Sequence, residues 1–301
     1  MKKIFLLILL MTIVTLTKAQ TKYTHDSLKI NDGYIHYYVK GKGKPIVLLP
    51  GGPGFSHYYM RGIADSLNNY KTILIDFFGT GRSQYKVPDS TWVSQENMVN
   101  DIELLRKHLA IEQWIVLGQS WATHTALLYG IRHPEHTVKI ILQATAGTDN
   151  TFRKYYRDNI NMRYTAEDKA QMAAVRKDPA AGRFDAFKIQ FRGYFYDPSK
   201  AHLLFKMDES EESYFFNTRF NMAFARSPEF ETFDIAKEAY ALEIPVRIIQ
   251  GRQDPLNGGT QERLNERLKN SKIYYIERSG HFPWLEQPDA FFAALRDGLA
   301  D

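Results

Sequence analysis

The chain has 301 residues, 44% of them hydrophobic, a formal charge of +5 and no cysteine. That length and apolar content suit one large α/β domain carrying an insertion, and the missing cysteines exclude a disulfide framework or lipid attachment at a cysteine. Lys2, Lys3 and Lys18 fall in the first 19 residues, which hold no acid; the remaining 36 basic and 34 acidic residues nearly balance, arguing against nucleic acid or an anionic membrane as partner.

Met1-Lys-Lys, an apolar stretch from Ile4 to Leu16 and Thr17-Lys18-Ala19 have the layout of a secretory leader. Thirteen apolar-rich residues are too few to span a bilayer comfortably. The expectation is a signal peptide over 1–19 and a periplasmic or secreted protein; an uncleaved N-terminal membrane anchor is the alternative.

Residues 33–40 read as a strand, and Gly41 to Pro45 as a turn. Ile46-Val-Leu-Leu49 is a wholly apolar run, as expected of a strand covered on both faces, and it ends in Pro50-Gly-Gly-Pro-Gly54. Thr72 to Asp76 is a second such strand, closed by Phe77-Phe-Gly-Thr-Gly-Arg-Ser83. Glu96 to Leu109 has helical apolar spacing and leads into Trp114-Ile-Val-Leu117. That run meets Gly118-Gln-Ser-Trp-Ala122, then a helix over 123–132, then a strand from Val138 to Gln143. From about Gly147 to Ala236 the β-branched runs stop, and charged, Tyr/Phe-rich helical stretches replace them. Strand rhythm resumes at Val246 to Gln250 and Lys272 to Ile276, with a helix over 259–269 between them and a last helix after Pro288. The expected organisation is therefore a first core segment (20–146), a helical cap (147–236) and a second core segment (237–301). Strands alternating with helices imply a mostly parallel central sheet with helices on both faces.

The stretch around Ser120 resembles the nucleophile elbow of the α/β-hydrolases: a buried strand, a small-residue turn around one serine, and a helix. A serine hydroxyl attacks only when a base takes its proton, and the base needs a third group to orient it. Ser120, Asp254 and His281 follow the order Ser, acid, His, and the acid and histidine each come just after an expected strand. Asp149, beyond the strand ending near Gln143, competes for the acid's place. His57 and His124 lie near the expected site but outside the triad order, and His36 falls inside a strand. Two N–H donors are needed for the oxyanion. One is Trp121, after the nucleophile. Pro53 has no N–H, so the other comes from Gly51 or Gly52, with Gly52 preferred.

Pro-Gly-Gly-Pro-Gly, Gly-Gln-Ser-Trp-Ala, Gly-Arg-Gln-Asp and Ser-Gly-His, in this order, resemble the proline iminopeptidases over roughly residues 30–295. In that family the glycine loop usually begins with histidine, the elbow ends in glycine, and the turn after the next strand carries an arginine; here Pro50, Ala122 and Phe78 stand at those places. The resemblance implies an α/β-hydrolase fold and an aminopeptidase releasing N-terminal proline, or another small residue, from short peptides. It implies no metal and no organic cofactor. It also points to Glu211, in Glu211-Glu-Ser-Tyr-Phe, as a carboxylate for the substrate's α-amino group. The other reading of Asp208, Glu209, Glu211 and Glu212 is ordinary decoration of a helix's first turn. Two further functions stay open: a carboxylesterase or lipase-like hydrolase of small hydrophobic esters, and a catalytically dead scaffold used as a binding module.

Overall fold

Alternation of apolar side chains along the core strands organises the molecule, because each strand feeds two packed layers. The computed structural model describes residues 22–30, 33–84, 93–178 and 183–301; the expected leader lies outside them. Eight strands form one sheet: β1 (Thr24–Ile30), β2 (Gly33–Lys40), β3 (Lys44–Leu49), β4 (Tyr70–Ile75), β5 (Trp114–Gln119), β6 (Thr137–Gln143), β7 (Val246–Gly251) and β8 (Ser271–Ile276). Their order is β1-β2-β4-β3-β5-β6-β7-β8. β3 to β8 run parallel, while β1 and β2 add an antiparallel edge. The edge strand β1 is mostly exposed, so it lacks the apolar run that marks the others and has no clear signature in the sequence.

In β3, Val47 and Leu49 belong to one core layer and Ile46 and Leu48 to the other, as a period of two requires. Between β3 and β4 lies α1 (Arg61–Ser66), between β4 and β5 lies α2 (Gln95–His108), and α3 (Ala122–Arg132) follows β5. Met98, Val99 and Ile102 of α2 and Leu127 of α3 cover the first layer. Ile63 of α1 covers the second, joined by Phe291 and Leu295 near the carboxyl terminus. These side chains are almost fully buried, and truncating one to alanine costs about 2–5 kcal/mol.

The stretch between β6 and β7 is helical: α4 (Arg153–Asn161), α5 (Ala166–Lys177), α6 (Arg183–Gln190), α7 (Glu209–Glu212), α8 (Thr218–Ala225), α9 (Pro228–Thr232) and α10 (Ala236–Ala241), with 3-10 turns between several of them. α10 packs on α3 and so belongs with the core rather than the cap. The chain closes with α11 (Thr260–Arg267), α12 (Pro283–Glu286) and α13 (Pro288–Ala300), the last two each opened by a proline in the first turn. Among the described residues no helix is long and apolar enough to cross a membrane.

Sheet register decides where the chemistry falls. Leu49 pairs with Gly118, Gly118 with Leu142, and Gly251 with Ile276, so the carboxyl ends of these strands share one rim. Strand order reverses between β3 and β5, the position where open α/β sheets form a crevice.

Candidate active site

The loops after β3 and β5 flank that crevice. Ser120 has φ +54°, a left-handed backbone that only a tightly determined turn imposes on a non-glycine residue. Its N–H donates to the Gln143 carbonyl of β6 at 2.8 Å, and its carbonyl accepts from Thr123 Oγ1 at 2.6 Å. A Cβ on Gly118 would lie 2.3 Å from the Ala122 carbonyl oxygen and 3.0 Å from Ala126 Cβ. Strand and helix thus close on each other only because position 118 has no side chain.

The loop after β3 is fastened to this elbow. The Gly51 N–H donates to Tyr59 Oη at 2.7 Å, and Tyr59 Oη donates to Gln119 Oε1 at 2.7 Å. Burial drives the Tyr59 hydroxyl far above its ordinary range, so it stays a neutral bridge. With Gly51 engaged, Gly52 is the one of the two expected glycines left to donate. Among the described residues neither the Gly52 nor the Trp121 N–H has an acceptor within the chain.

Across the crevice, His281 Nδ1 lies 2.8 Å from Asp254 Oδ2. The carboxylate is buried and also accepts from Gln250 Nε2 at 2.8 Å and the Leu256 N–H at 2.9 Å. The histidine's own N–H donates to the Tyr194 carbonyl of the cap at 2.8 Å, and the neighbouring Gly280 N–H donates to Glu286 Oε2 at 2.6 Å. With Nδ1 held by Asp254, Nε2 is the nitrogen left for a proton transfer. Ser120 and His281 line the same cavity of about 1170 Å³, roofed by the cap; no direct hydrogen bond joins them among the described residues. Asp149, the competing acid, instead caps a 3-10 turn by accepting the Thr151 N–H at 2.7 Å.

A second serine–histidine–aspartate juxtaposition exists. His57 Nδ1 lies 2.9 Å from Asp76 Oδ1, next to Ser56, and all three are buried. His57 Nε2, however, faces the Arg61 guanidinium at 3.0 and 3.2 Å, and Tyr38 stacks on the ring at 3.7 Å. None of the three lines the Ser120 cavity. Burial pushes the Asp76 carboxyl up, but His57 and N–H donation from His57 and Arg82 outweigh it and hold it below the usual range.

Glu211 falls elsewhere than the sequence led one to expect. Its carboxylate pairs with Arg82 at 2.9 Å, and Arg82 also stacks over Tyr214 at 4.5 Å. Glu211 is not on the cavity wall; the carboxylates there are Asp149, Asp158, Glu231 and Asp234. Glu231 in turn pairs with Arg153 at 3.0 Å. The rest of the wall is heavily aromatic, including Trp121, Phe152, Tyr194, Phe224, Phe230 and Phe233. His124 lies behind Trp121 and Phe233, 4.6 Å from each ring, with neither ring nitrogen hydrogen-bonded. Burial pushes it down to about 3, so it is neutral. Tyr59 and Glu286 had no signal in the sequence, because their roles depend on contacts across the fold. Among the described residues no cluster of three or more His, Cys, Asp or Glu side chains could hold a metal ion.

The alpha/beta hydrolase fold family profile matches residues 44–288. Over 286 residues the chain is 22% identical to the proline iminopeptidase of Heyndrickxia coagulans, covering 92% of this chain and 99% of that protein. The crystal structure of a proline iminopeptidase-related protein from Thermus thermophilus matches with a TM-score of 0.74 at 20% identity, covering 93% of this chain and 98% of that one. A 2-hydroxy-6-oxo-6-phenylhexa-2,4-dienoate hydrolase from Rhodococcus matches almost as well, with a TM-score of 0.72 at 20% identity over 93% and 100% of the two chains. Neighbours with such different substrates share the fold, and the fold does not choose between them. The chain belongs to the alpha/beta hydrolase fold family, as a serine hydrolase homologous to the proline iminopeptidases.

Proposed function

We propose that Ser120 is the nucleophile, His281 the base and Asp254 the group that orients it. The observation that carries this is the His281–Asp254 contact of 2.8 Å beside a cavity that also holds Ser120 at φ +54°. His281 Nε2 takes the Ser120 proton as Oγ attacks the substrate carbonyl, and returns it to the leaving amine or alcohol. Asp254 stabilises the imidazolium formed in between. The N–H groups of Gly52 and Trp121 receive the oxyanion. Water then repeats the cycle on the acyl-enzyme.

For substrate, the reading is a short peptide with a free N-terminal proline or other small residue. Full-length similarity to proline iminopeptidases supports it, and carboxylates on the cavity wall are available to meet an α-ammonium group. One observation favours a second reading, hydrolysis of small hydrophobic esters. Glu211, the expected amine anchor, is neutralised by Arg82 and lies off the cavity wall, whose aromatic side chains suit an apolar acyl or alcohol group. Proline arylamide, its N-acetyl derivative and a short-chain aryl ester distinguish the two. An aminopeptidase requires the free amine. Equal or better turnover of the acetylated compound or the ester gives the protein to the ester reading.

The leader motivates a proposal of export, with cleavage after Ala19 leaving Gln20 as the first residue. Intact-mass measurement of the exported protein tests it; a full-length chain recovered with the membranes would mean an anchor.

A further inference from the structure

We propose that Asn221 of the cap is a positioning residue for the oxyanion loop, so that the cap sets the geometry of the hole as well as roofing the cavity. This rests on the assignment of Gly52 as an oxyanion donor. The cap grips the run from Gly51 to Ser56 at successive points. Phe55 and Phe216 form an antiparallel bridge, flanked by the Ser56 N–H donating to the Phe215 carbonyl at 2.9 Å and the Asn217 N–H donating to the Gly54 carbonyl at 2.8 Å. Two cap side chains add contacts, one to the loop after β4 and one to this run. Asn217 Nδ2 donates to the Gly79 carbonyl at 2.8 Å, and Asn221 Nδ2 donates to the Pro53 carbonyl at 2.8 Å.

Pro53 follows the proposed donor directly, and Asn221 lines the cavity. The approach is tight: a Cβ on Gly54 would lie 2.9 Å from the Asn217 carbonyl oxygen. On the elbow side, Tyr59 already fixes Gly51. The stretch that carries the donor is therefore held from the core at Gly51 and from the cap at Pro53. Asn217 also caps α8, its Oδ1 accepting the Arg219 N–H at 3.0 Å, so substituting it would disturb the helix as well. Asn221 lies inside α8, and its side-chain amide makes the one contact at issue.

An oxyanion donor works only if it already points where the negative charge will form, and small misplacements cost heavily. The test uses Asn221→Asp, which keeps the shape but cannot donate to Pro53, and Asn221→Ala as a second variant. Phenylboronic acid is the probe. Ser120 Oγ adds to its boron and passes a proton to His281, giving a tetrahedral boronate whose oxygen occupies the oxyanion position. Benzamide, planar and unable to form the adduct, reports simple occupancy. Both variants should lose ~10–100-fold in kcat on a short-chain aryl ester with little change in KM. The inhibition constant for phenylboronic acid should rise by a similar factor while that for benzamide stays put. These ratios are read on the folded fraction, so partial unfolding does not mimic them. Equal weakening of both probes, or unchanged kcat and boronate affinity, overturns the role of Asn221. Failure of phenylboronic acid to inhibit the unmodified protein would instead overturn the Ser120 assignment beneath it.

Discussion

Among the described residues are two buried aspartate–histidine pairs of nearly the same geometry. In each, histidine Nδ1 approaches a carboxylate oxygen, at 2.8 Å for His281–Asp254 and 2.9 Å for His57–Asp76. In each, a serine is close in the fold or the sequence. They differ at the far nitrogen. His281 lines the cavity that holds Ser120 with Nδ1 engaged by Asp254, whereas His57 Nε2 is covered by the Arg61 guanidinium. A base must have a free nitrogen beside the proton it takes, so the contact with the acid does not by itself identify a catalytic pair. The second pair does a different task. Asp76 accepts the backbone N–H groups of His57 and Arg82, tying together the loops after β3 and β4. Through Arg82 that network reaches Glu211 in the cap.

The largest test of this contrast is the nucleophile. Ser120→Ala should lower turnover at least ~10³-fold, since the oxyanion donors and binding cavity remain. Ser56→Ala, measured beside it, should stay within about threefold of the parent. The opposite order would transfer catalysis to the second pair. Next comes the acid. Asp254→Asn should reduce kcat by ~10²–10³-fold with the fold intact, because the imidazole loses its orientation and the support for its cation. Asp76→Asn should leave kcat of the folded protein within about threefold but lower unfolding free energy by about 3 kcal/mol, as a buried pair losing one partner does. Denaturant titration and steady-state rates on the same samples separate these outcomes.

Stability against pH gives a smaller, graded test. His124 stays neutral in the fold down to about pH 3, while in the unfolded chain it takes a proton below about 6.5. The unfolded state therefore binds more protons in that window, and stability falls as pH drops from about 6.5 toward 3, by about 1.4 kcal/mol per unit. Asp76 acts in the same direction but lower: its depressed carboxyl contributes stability that is complete above the ordinary aspartate value and is lost as pH falls from there through its lower folded value. Melting temperatures between pH 6.5 and 4.5 should decline in the parent and decline less in His124→Leu. Equal slopes would remove His124 from the account.

The smallest expected effect concerns Glu211. As part of the Asp76–Arg82 network, its replacement by glutamine should cost about 0.5–1 kcal/mol of stability and slow proline arylamide and a neutral ester alike. Selective loss on the arylamide would return Glu211 to the substrate and draw the second pair's network into specificity.

Local chemistry made much of this protein legible from its residues alone. Wholly apolar runs such as Ile46 to Leu49 announce strands covered on both faces, and small residues around Ser120 announce a turn where strand and helix nearly touch. Chain order suggested Ser120, Asp254 and His281 as partners, and the lack of an N–H on Pro53 narrowed the loop donor to two glycines. None of that distinguishes Asp254 from Asp149, since each follows a core strand; only the folded positions put one against His281 and the other against the Thr151 N–H. Likewise Glu211 has the same local sequence whether it meets a substrate amine or Arg82, 129 residues away. Asn221 acts on a backbone carbonyl 168 residues away, and Tyr59 and Glu286 on N–H groups of neighbouring turns; a hydrogen bond to a peptide group leaves no mark on the sequence of its acceptor or donor. Periodicity and spacing record short-range demands of the backbone, whereas the choice among equivalent acids, bases and anchors is made where the rim, the elbow and the cap converge.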